Sequence, residues 1–216
     1  MTTLSKPTVV PYVSSWRTER EHNPTLVFTA AGIRYEDEGP GDRDNRGVLW
    51  VRQEQRRGQG TPDYGGINAA RQRRCMSRFL CQVCAGSPSI TADGMLFVIF
   101  NQREPGWDDW PERMGTTHPP LCTGCARKAA QQCHAFAKGF TAVRSRSPAV
   151  AGVMGVVFDP ARLVSSPERV VQYDQPDVLR WTVANQLVAI LLDCTAIEDL
   201  DADLDKADRN AAPIRD

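Results

Sequence analysis

The sequence predicts an α+β protein with a mixed, mainly antiparallel sheet and a long C-terminal helix. Three observations lead to this class: β-branched and aromatic runs between turn residues, apolar residues at helical spacing in later segments, and two Cys-x-x-Cys pairs in mid-chain. With 216 residues the chain can bury one sizeable core. We therefore expect a single α/β domain over residues 1–200, with a cysteine-containing module embedded at 75–139, and an acidic, flexible tail at 201–216.

The first fifty residues predict strands. Residues 26–38 and 46–55 are rich in β-branched and aromatic side chains, and the turn-rich stretch 38–47 lies between them. This pattern favours a hairpin with a long polar loop. A flexible connector at 56–66 then leads into a predicted helix over residues 67–80.

That predicted helix has two different faces. One face is apolar, with Met76 and Leu80 on it, and the opposite face carries three arginines, Arg71, Arg74 and Arg78. The arginine face is a candidate contact for phosphate groups. A solvated polar face without a partner is the alternative interpretation.

The remaining elements follow in the second half of the chain. Residues 89–101 predict a hairpin around an Ala-Asp-Gly turn, and a helix with an apolar stripe follows the second cysteine pair and ends near Gly139. Residues 140–147 and 149–160 predict two further strands. The long C-terminal helix is predicted over residues 176–200, where apolar residues recur at helical spacing: Leu179, Val183, Leu187, Leu191 and Cys194.

The composition excludes a membrane-spanning helix, because no stretch of 18 or more apolar residues is present. The N-terminus lacks the charged and apolar pattern of a signal peptide, so we expect an uncleaved, cytoplasmic protein. In that compartment seven cysteines indicate metal ligands or packed thiols rather than disulfides. Arginine outnumbers lysine 22 to 4, which indicates a GC-rich coding genome.

The formal net charge of zero hides an uneven distribution. Residues 52–146 carry 14 Lys or Arg against 7 Asp or Glu, whereas residues 173–216 carry 4 against 10. One interpretation is that the basic middle and the acidic C-terminus complement each other within the fold. The other is a basic binding surface, with the acidic tail as its shield or mimic.

The most specific signal is the pair of Cys-x-x-Cys hooks. The first hook is Cys81 and Cys84, the second is Cys122 and Cys125, and 37 residues separate them. Two residues between cysteines let a tight turn aim both sulfurs at one point, and four thiolates complete the tetrahedral shell of zinc. We therefore predict a structural zinc ion with no open position for a catalytic water. Four buried thiols in a reduced protein are the alternative.

Other potential ligands lie nearby in sequence. Cys75 precedes the first hook by six residues, and Cys133 lies about 12 Å along the helix from Cys125, too far for the same ion. A second metal site from Cys75, Cys133, His118 or His134 is a further alternative. Packed core thiols are the expected roles of Cys133 and Cys194.

The order of hook, hairpin, loop and hook at a helix start resembles a treble-clef zinc finger over residues 75–139, and in particular the zinc-bound HNH endonucleases. This resemblance implies a catalytic Asp-His pair on the hairpin and a second metal. Here Asp93 is present, but Gly94 stands where the general base would be. If the protein is an enzyme, His118 and His134 are the remaining candidates for catalytic residues.

These observations favour a zinc-stabilised binding or regulatory protein. Its partner would be nucleic acid or an acidic protein surface, contacted through five cations: Arg71, Arg74, Arg78, Arg127 and Lys128. The alternative is an enzyme, either a divergent metal-dependent nuclease or a small-molecule tailoring enzyme in which zinc is structural. In the loop before the second hook, Trp107 and Trp110 offer a stacking platform or pack over the module.

Overall fold

The computed structural model describes residues 7–101, 103–133 and 139–210. The helices in these residues are α1 Ala69–Ser77, α2 Thr123–Gln132, α3 Pro176–Leu179 and α4 Leu200–Asn210. The strands are β1 Ser14–Trp16, β2 Glu21–His22, β3 Leu26–Thr29, β4 Gly32–Tyr35, β5 Leu49–Trp50, β6 Arg52–Gln53, β7 Pro62–Ile67, β8 Ile90–Thr91, β9 Gly94–Phe100, β10 Gly115–Thr116, β11 Phe140–Ser145, β12 Ala149–Asp159, β13 Val164–Ser165, β14 Arg169–Gln172, β15 Thr182–Ile190 and β16 Cys194–Ile197.

Contacts along the chain divide it into two compact units. One, here called the sheet unit, comprises residues 13–73 and 150–188. The other comprises residues 1–12, 74–149 and 189–216 and is here called the cysteine unit, because it contains both hooks.

In the sheet unit, β12 lies between β15 on one side and β13 and β14 on the other. The strands approach closely at Gly155, where any Cβ would collide with the backbone of Val183, so this register requires glycine. On the far side of β15, β5 pairs with it in parallel. The core of this unit contains Ile33, Leu49 and Val183. The aromatic rings of Phe28 and Tyr35, from the β3–β4 hairpin, pack against them.

The cysteine unit is built on a four-stranded antiparallel sheet in the order β16-β11-β9-β8. Side chains alternate between its two faces, as strand geometry requires. On one face Leu96 and Val98 of β9 pack with α2 and α4. On the other face Phe97 and Ile99 pack with Met114 and Leu191. One face of this sheet therefore carries both hooks and the C-terminal helix.

The predicted α+β class, with antiparallel sheets and a C-terminal helix, is confirmed. The position of that helix differs from the expectation, because residues 182–190 form the buried strand β15 and the helix is α4 at Leu200–Asn210. A strand that is buried on both faces does not alternate apolar and polar residues, so the usual sign of a strand is missing. The apolar residues of this segment happened to match helical spacing as well. The last helix consequently occupies most of the stretch that was expected to be a flexible tail.

The other predicted elements agree in part. Helix α1, the β8–β9 hairpin and strands β11 and β12 occur where the sequence predicted them. Helix α2 begins at the second hook as predicted, but it ends at Gln132 and not near Gly139, because Cys133 is extended. The predicted hairpin between residues 26–38 and 46–55 does not form: β3 pairs with β4, and β5 pairs with β15. Within the described residues, no helix is long and apolar enough to cross a membrane.

Candidate metal centre

The two hooks converge in the structure. The Sγ atoms of Cys81, Cys84, Cys122 and Cys125 all lie within 4.8 Å of one another. In the part of the chain that the structure describes, they are the one group of Cys, His, Asp or Glu side chains identified as able to hold a metal ion. The predicted ligand set is therefore brought together, although 37 residues separate the hooks in sequence.

A tight backbone turn shapes the first hook. The amide of Ala85 donates to the carbonyl of Cys81, and the amide of Cys81 donates to the carbonyl of Gly86, both at 2.8 Å. Ala85 adopts a left-handed conformation, with φ of +59°, to close this turn. The turn is also tied to the segment before the second hook, since the amide of Gln82 donates to Pro120 at 3.0 Å. A backbone hydrogen bond thus joins the first hook to the segment that leads into the second.

The second hook opens α2. Cys122 is the N-cap residue, and its carbonyl accepts the first helical bond from Ala126 at 2.9 Å. Cys125 lies one turn into the helix on its buried side, next to Ala126. The segment before the helix is fixed by Leu121, whose amide donates to Leu96 of β9 at 3.0 Å. The sheet therefore determines where this hook points.

The cluster is asymmetric in its exposure to solvent. Cys81 is fully buried and Cys125 is buried, whereas Cys122 is half-buried and Cys84 is exposed. Each hook thus contributes one inner sulfur and one outer sulfur. The two outer sulfurs, those of Cys84 and Cys122, lie 3.9 Å apart.

The thiols of the cluster also differ electrostatically. Burial raises the pKa of Cys81 to about 11, and burial likewise raises the pKa of Cys125 far above its ordinary value. Burial also acts to raise the pKa of Cys84, but hydrogen bonds from the Gly86 amide and from the other thiols outweigh it, so that pKa is lowered. Of these three thiols, Cys84 is the most readily ionised. A bound cation would favour the thiolate form of all four cysteines.

The additional candidate ligands do not join this cluster. Cys75 is fully buried, its thiol lies 3.9 Å from the carbonyl oxygen of Cys81, and burial raises its pKa to about 12. Cys133 caps the C-terminus of α2, and Cys194 is half-buried, with its pKa raised by burial to about 12. His118 packs edge-on against the ring of Phe100, and burial lowers its pKa. His134 lies outside the described residues.

The position of the general base expected from the nuclease resemblance cannot hold a histidine in this fold. Gly94 has φ of +113°, and a Cβ there would collide with the backbone of Ser145 on β11. The preceding Asp93 forms an ion pair with Lys206 of α4 at 3.2 Å. The glycine is required by strand packing.

Arg71 does not lie on the exposed face expected for it. Its guanidinium donates two hydrogen bonds of 2.6 Å to the carboxylate of Glu19, and both side chains are buried. It also donates to the carbonyl of Ser14 at 2.8 Å. A helical wheel could not reveal this, because the partner lies 52 residues away in sequence. Arg71 therefore stabilises the sheet unit and is not available to a phosphate.

Arg127 is engaged by α4. It contacts three carboxylates of that helix, at 3.9 Å from Asp201, 2.5 Å from Asp205 and 3.1 Å from Asp208. The other three predicted cations, Arg74, Arg78 and Lys128, are exposed on the cysteine unit. In the described residues none of these three forms an ion pair within 4 Å.

Arg144 organises the cysteine unit, a role that the sequence analysis did not predict. It is fully buried and donates to Asp203 of α4 at 2.7 Å, to the carbonyl of Gly94 at 3.0 Å and to Ser89 at 3.3 Å. It thereby joins the β8–β9 hairpin to the last helix. The only hint in the sequence was the run of aspartates in α4, whose partners could not be assigned.

The tryptophans of the loop before the second hook pack over the sheet. Trp107 and Trp110 are half-buried against the cluster of Phe97, Ile99 and Met114, as one of the two interpretations expected. The indole N–H of Trp110 is buried without a partner in the described residues.

The sheet unit contains an open cleft of about 580 Å³ that the sequence did not indicate. Its walls combine one aromatic side chain with charges of both signs, including Trp16, Arg17, Arg20, Glu21 and Asp63. Most of the charged side chains come from the short stretch 17–21, and Asp63 of β7 joins them from a segment remote in sequence.

Comparison of the chain with protein-family models, with curated proteins and with solved structures gave no match.

Proposed function

We propose that the four cysteines bind a structural zinc ion in a treble-clef module. We further propose that the protein acts in the cytoplasm by binding a partner molecule. The observation that carries the metal assignment is the convergence of four sulfurs within 4.8 Å. Zinc bonded to four thiolates at about 2.3 Å would place neighbouring sulfurs about 3.8 Å apart. The Cys84–Cys122 separation of 3.9 Å fits that spacing.

The arrangement of elements supports the treble-clef assignment. The first hook forms a tight turn, the β8–β9 hairpin follows, and the second hook begins α2. Four sulfurs fill a tetrahedral shell, so the ion would brace the module and would not activate water. This favours binding over catalysis at the hooks.

The proposed partner is nucleic acid, contacted through Arg74, Arg78 and Lys128. These side chains are exposed and flank the hooks in sequence: Arg78 precedes Cys81 by three residues and Lys128 follows Cys125 by three. None of the three pairs with a carboxylate among the described residues, and such guanidinium and ammonium groups are suited to phosphate oxygens. An acidic protein surface is the alternative partner of the same chemistry.

Metal analysis of the purified protein tests the first part of the proposal. We expect one zinc ion per chain, retained in Cys133→Ser and lost in Cys125→Ser, because Cys133 lies outside the cluster. A wild-type protein that is folded but takes up no zinc would refute the assignment.

Salt-dependent binding to labelled DNA and RNA tests the second part. Affinity should fall steeply as salt rises, and the Arg74→Ala, Arg78→Ala, Lys128→Ala triple variant should bind much more weakly. Arg162→Ala is the matched control, since its side chain is 81% exposed in the sheet unit. Equal binding by the triple variant and the control would rule out this surface, and binding only to acidic proteins would identify the alternative partner.

A second candidate function rests on the cleft of the sheet unit. Its volume of about 580 Å³ is that of a small-molecule site, and its charges of both signs suit a polar ligand. Under this second candidate function, the protein is an enzyme that acts on a small molecule, and the zinc ion only stabilises the fold. Screening polar metabolites by thermal shift with wild type and Asp63→Asn would test it, because a ligand of the cleft should shift the wild-type midpoint more.

A further inference from the structure

We propose that the two outer sulfurs of the cluster, Cys84 and Cys122, are an oxidation site at which peroxide joins the two hooks by a disulfide and displaces the metal ion. This inference rests on the proposed zinc site and goes beyond a purely structural role for it. It assigns different fates to four cysteines that the sequence pattern makes equivalent.

Exposure selects the sulfur that reacts first. Oxidants in solution reach accessible sulfur, and Cys84 is the exposed member of the cluster, whereas Cys81 and Cys125 are buried. The backbone leaves Cys84 open as well, because residue 86 is glycine. A Cβ at position 86 would lie 3.4 Å from the Cys84 Sγ, and glycine has none, so this side of the sulfur is not covered.

Distance selects the sulfur that completes the disulfide. The Sγ of Cys122 lies 3.9 Å from that of Cys84 and is also partly accessible. A disulfide needs a sulfur separation of about 2.05 Å, so the two side chains must approach by about 1.9 Å. Rotation of an exposed side chain can supply this movement with the buried sulfurs still in place.

The reaction balances with hydrogen peroxide as the oxidant. The Cys84 thiolate attacks one peroxide oxygen, the O–O bond breaks, and a sulfenic acid and hydroxide result. The Cys122 thiolate then attacks the Cys84 sulfur, the S–O bond breaks, and a second hydroxide leaves. Two thiolates lose two electrons in total, peroxide gains them, and two protons from solvent convert the hydroxides to water. The metal loses two of its four ligands, one from each hook.

Peptide mapping of the wild-type, zinc-loaded protein tests the inference without any cysteine variant. Trypsin cleaves after Arg78 and Arg103 and after Arg113 and Arg127, which places each hook in a separate peptide. After brief treatment with peroxide and alkylation of free thiols, we expect these two peptides to be cross-linked through Cys84 and Cys122. Zinc release, followed with a chromogenic chelator, should match cross-link formation at one ion per disulfide.

Two glycine variants that keep all four sulfurs provide the kinetic test. Gly86→Ala places a methyl group against the Cys84 sulfur and should slow both zinc release and cross-linking. Gly124 lies inside the second hook, but a Cβ there would have nothing within 4 Å, so Gly124→Ala should react like wild type.

The outcomes separate this inference from the zinc proposal. A protein without zinc before oxidation refutes the proposed function. A zinc-loaded protein whose first disulfide lies within one hook, or that retains zinc after cross-linking, overturns the oxidation site alone. Equal rates for Gly86→Ala and wild type would contradict Cys84 as the first sulfur attacked.

Discussion

Replacing Leu204 by alanine tests whether the last helix is an integral part of the cysteine unit. Leu204 is fully buried on α4 and belongs to the core cluster that includes Leu96, Leu121 and the inner sulfurs Cys81 and Cys125. The sequence alone suggested that this stretch was a flexible tail. A flexible tail would tolerate the substitution, whereas a packed helix would not.

The expected magnitude follows from this burial. Leu→Ala at fully buried positions costs about 2.7–5.0 kcal/mol, a sum of lost transfer free energy and the cavity left behind. Since α4 is the last element described and can partly collapse onto the gap, we expect about 3 kcal/mol. This corresponds to a decrease of roughly a hundredfold in the folding equilibrium constant.

Urea unfolding followed by tryptophan fluorescence, at a fixed concentration of free zinc, measures this loss. The control is Asp201→Ala on the same helix, because that side chain is 83% exposed and its contact with Arg127 is long, at 3.9 Å. The control should change the free energy of unfolding by less than about 0.5 kcal/mol. A loss below about 1 kcal/mol for Leu204→Ala would refute the packing of α4.

Three further predictions concern the supports of the two units. Gly94→Ala should destabilise the protein by about 2 kcal/mol or more in thermal unfolding, because its Cβ collides with Ser145; Gly124→Ala should not. The pKa of Glu19 is lowered from its ordinary value of 4.5: burial opposes ionisation, but hydrogen bonds from Arg71 and backbone amides outweigh it. The ionised Glu19 carboxylate therefore contributes fully to stability above pH 4.5, and this contribution is lost as pH falls through the lowered pKa. Glu19→Gln should make the unfolding midpoint depend less on acid pH. An unchanged pH profile in this variant would contradict the role assigned to Glu19. Removal of the proposed zinc ion with a chelator should make the cysteine unit sensitive to limited proteolysis before the sheet unit, and simultaneous cleavage of both would show that the metal does not act locally.

The candidate metal centre was predictable because its signal is local. The spacing within each hook places two sulfurs at one turn, and a helix start after the second hook is visible in the sequence. The pattern predicted all four cysteines of the cluster and excluded Cys133 by distance along the helix. It did not predict which sulfurs face solvent, since the exposure of Cys84 depends on chain segments remote in sequence.

The charged residues were less predictable, because the partner of a charge depends on the fold. The arginine face of the predicted helix 67–80 looked uniform in sequence. Yet Arg71 is buried against Glu19, whereas Arg74 and Arg78 are exposed. Likewise, the acidic C-terminus partly neutralises the basic middle through Arg127 and Arg144. These ion pairs favour the interpretation in which the two regions complement each other within the fold.

The sequence by itself determined the α+β class, the two helices α1 and α2, the β8–β9 hairpin and the four-cysteine cluster. The helices and the hairpin depend on residues that are near one another in the chain, and each hook is likewise a local pattern, although 37 residues separate the two hooks. Only the tertiary structure decided that residues 182–190 are a strand and that α4 is packed. The physical reason is that β15 is buried between strand neighbours, and α4 is stabilised by Leu204 and by the ion pair of partly buried Asp203 with buried Arg144. Those contacts join residues tens of positions apart, and no local pattern encodes them.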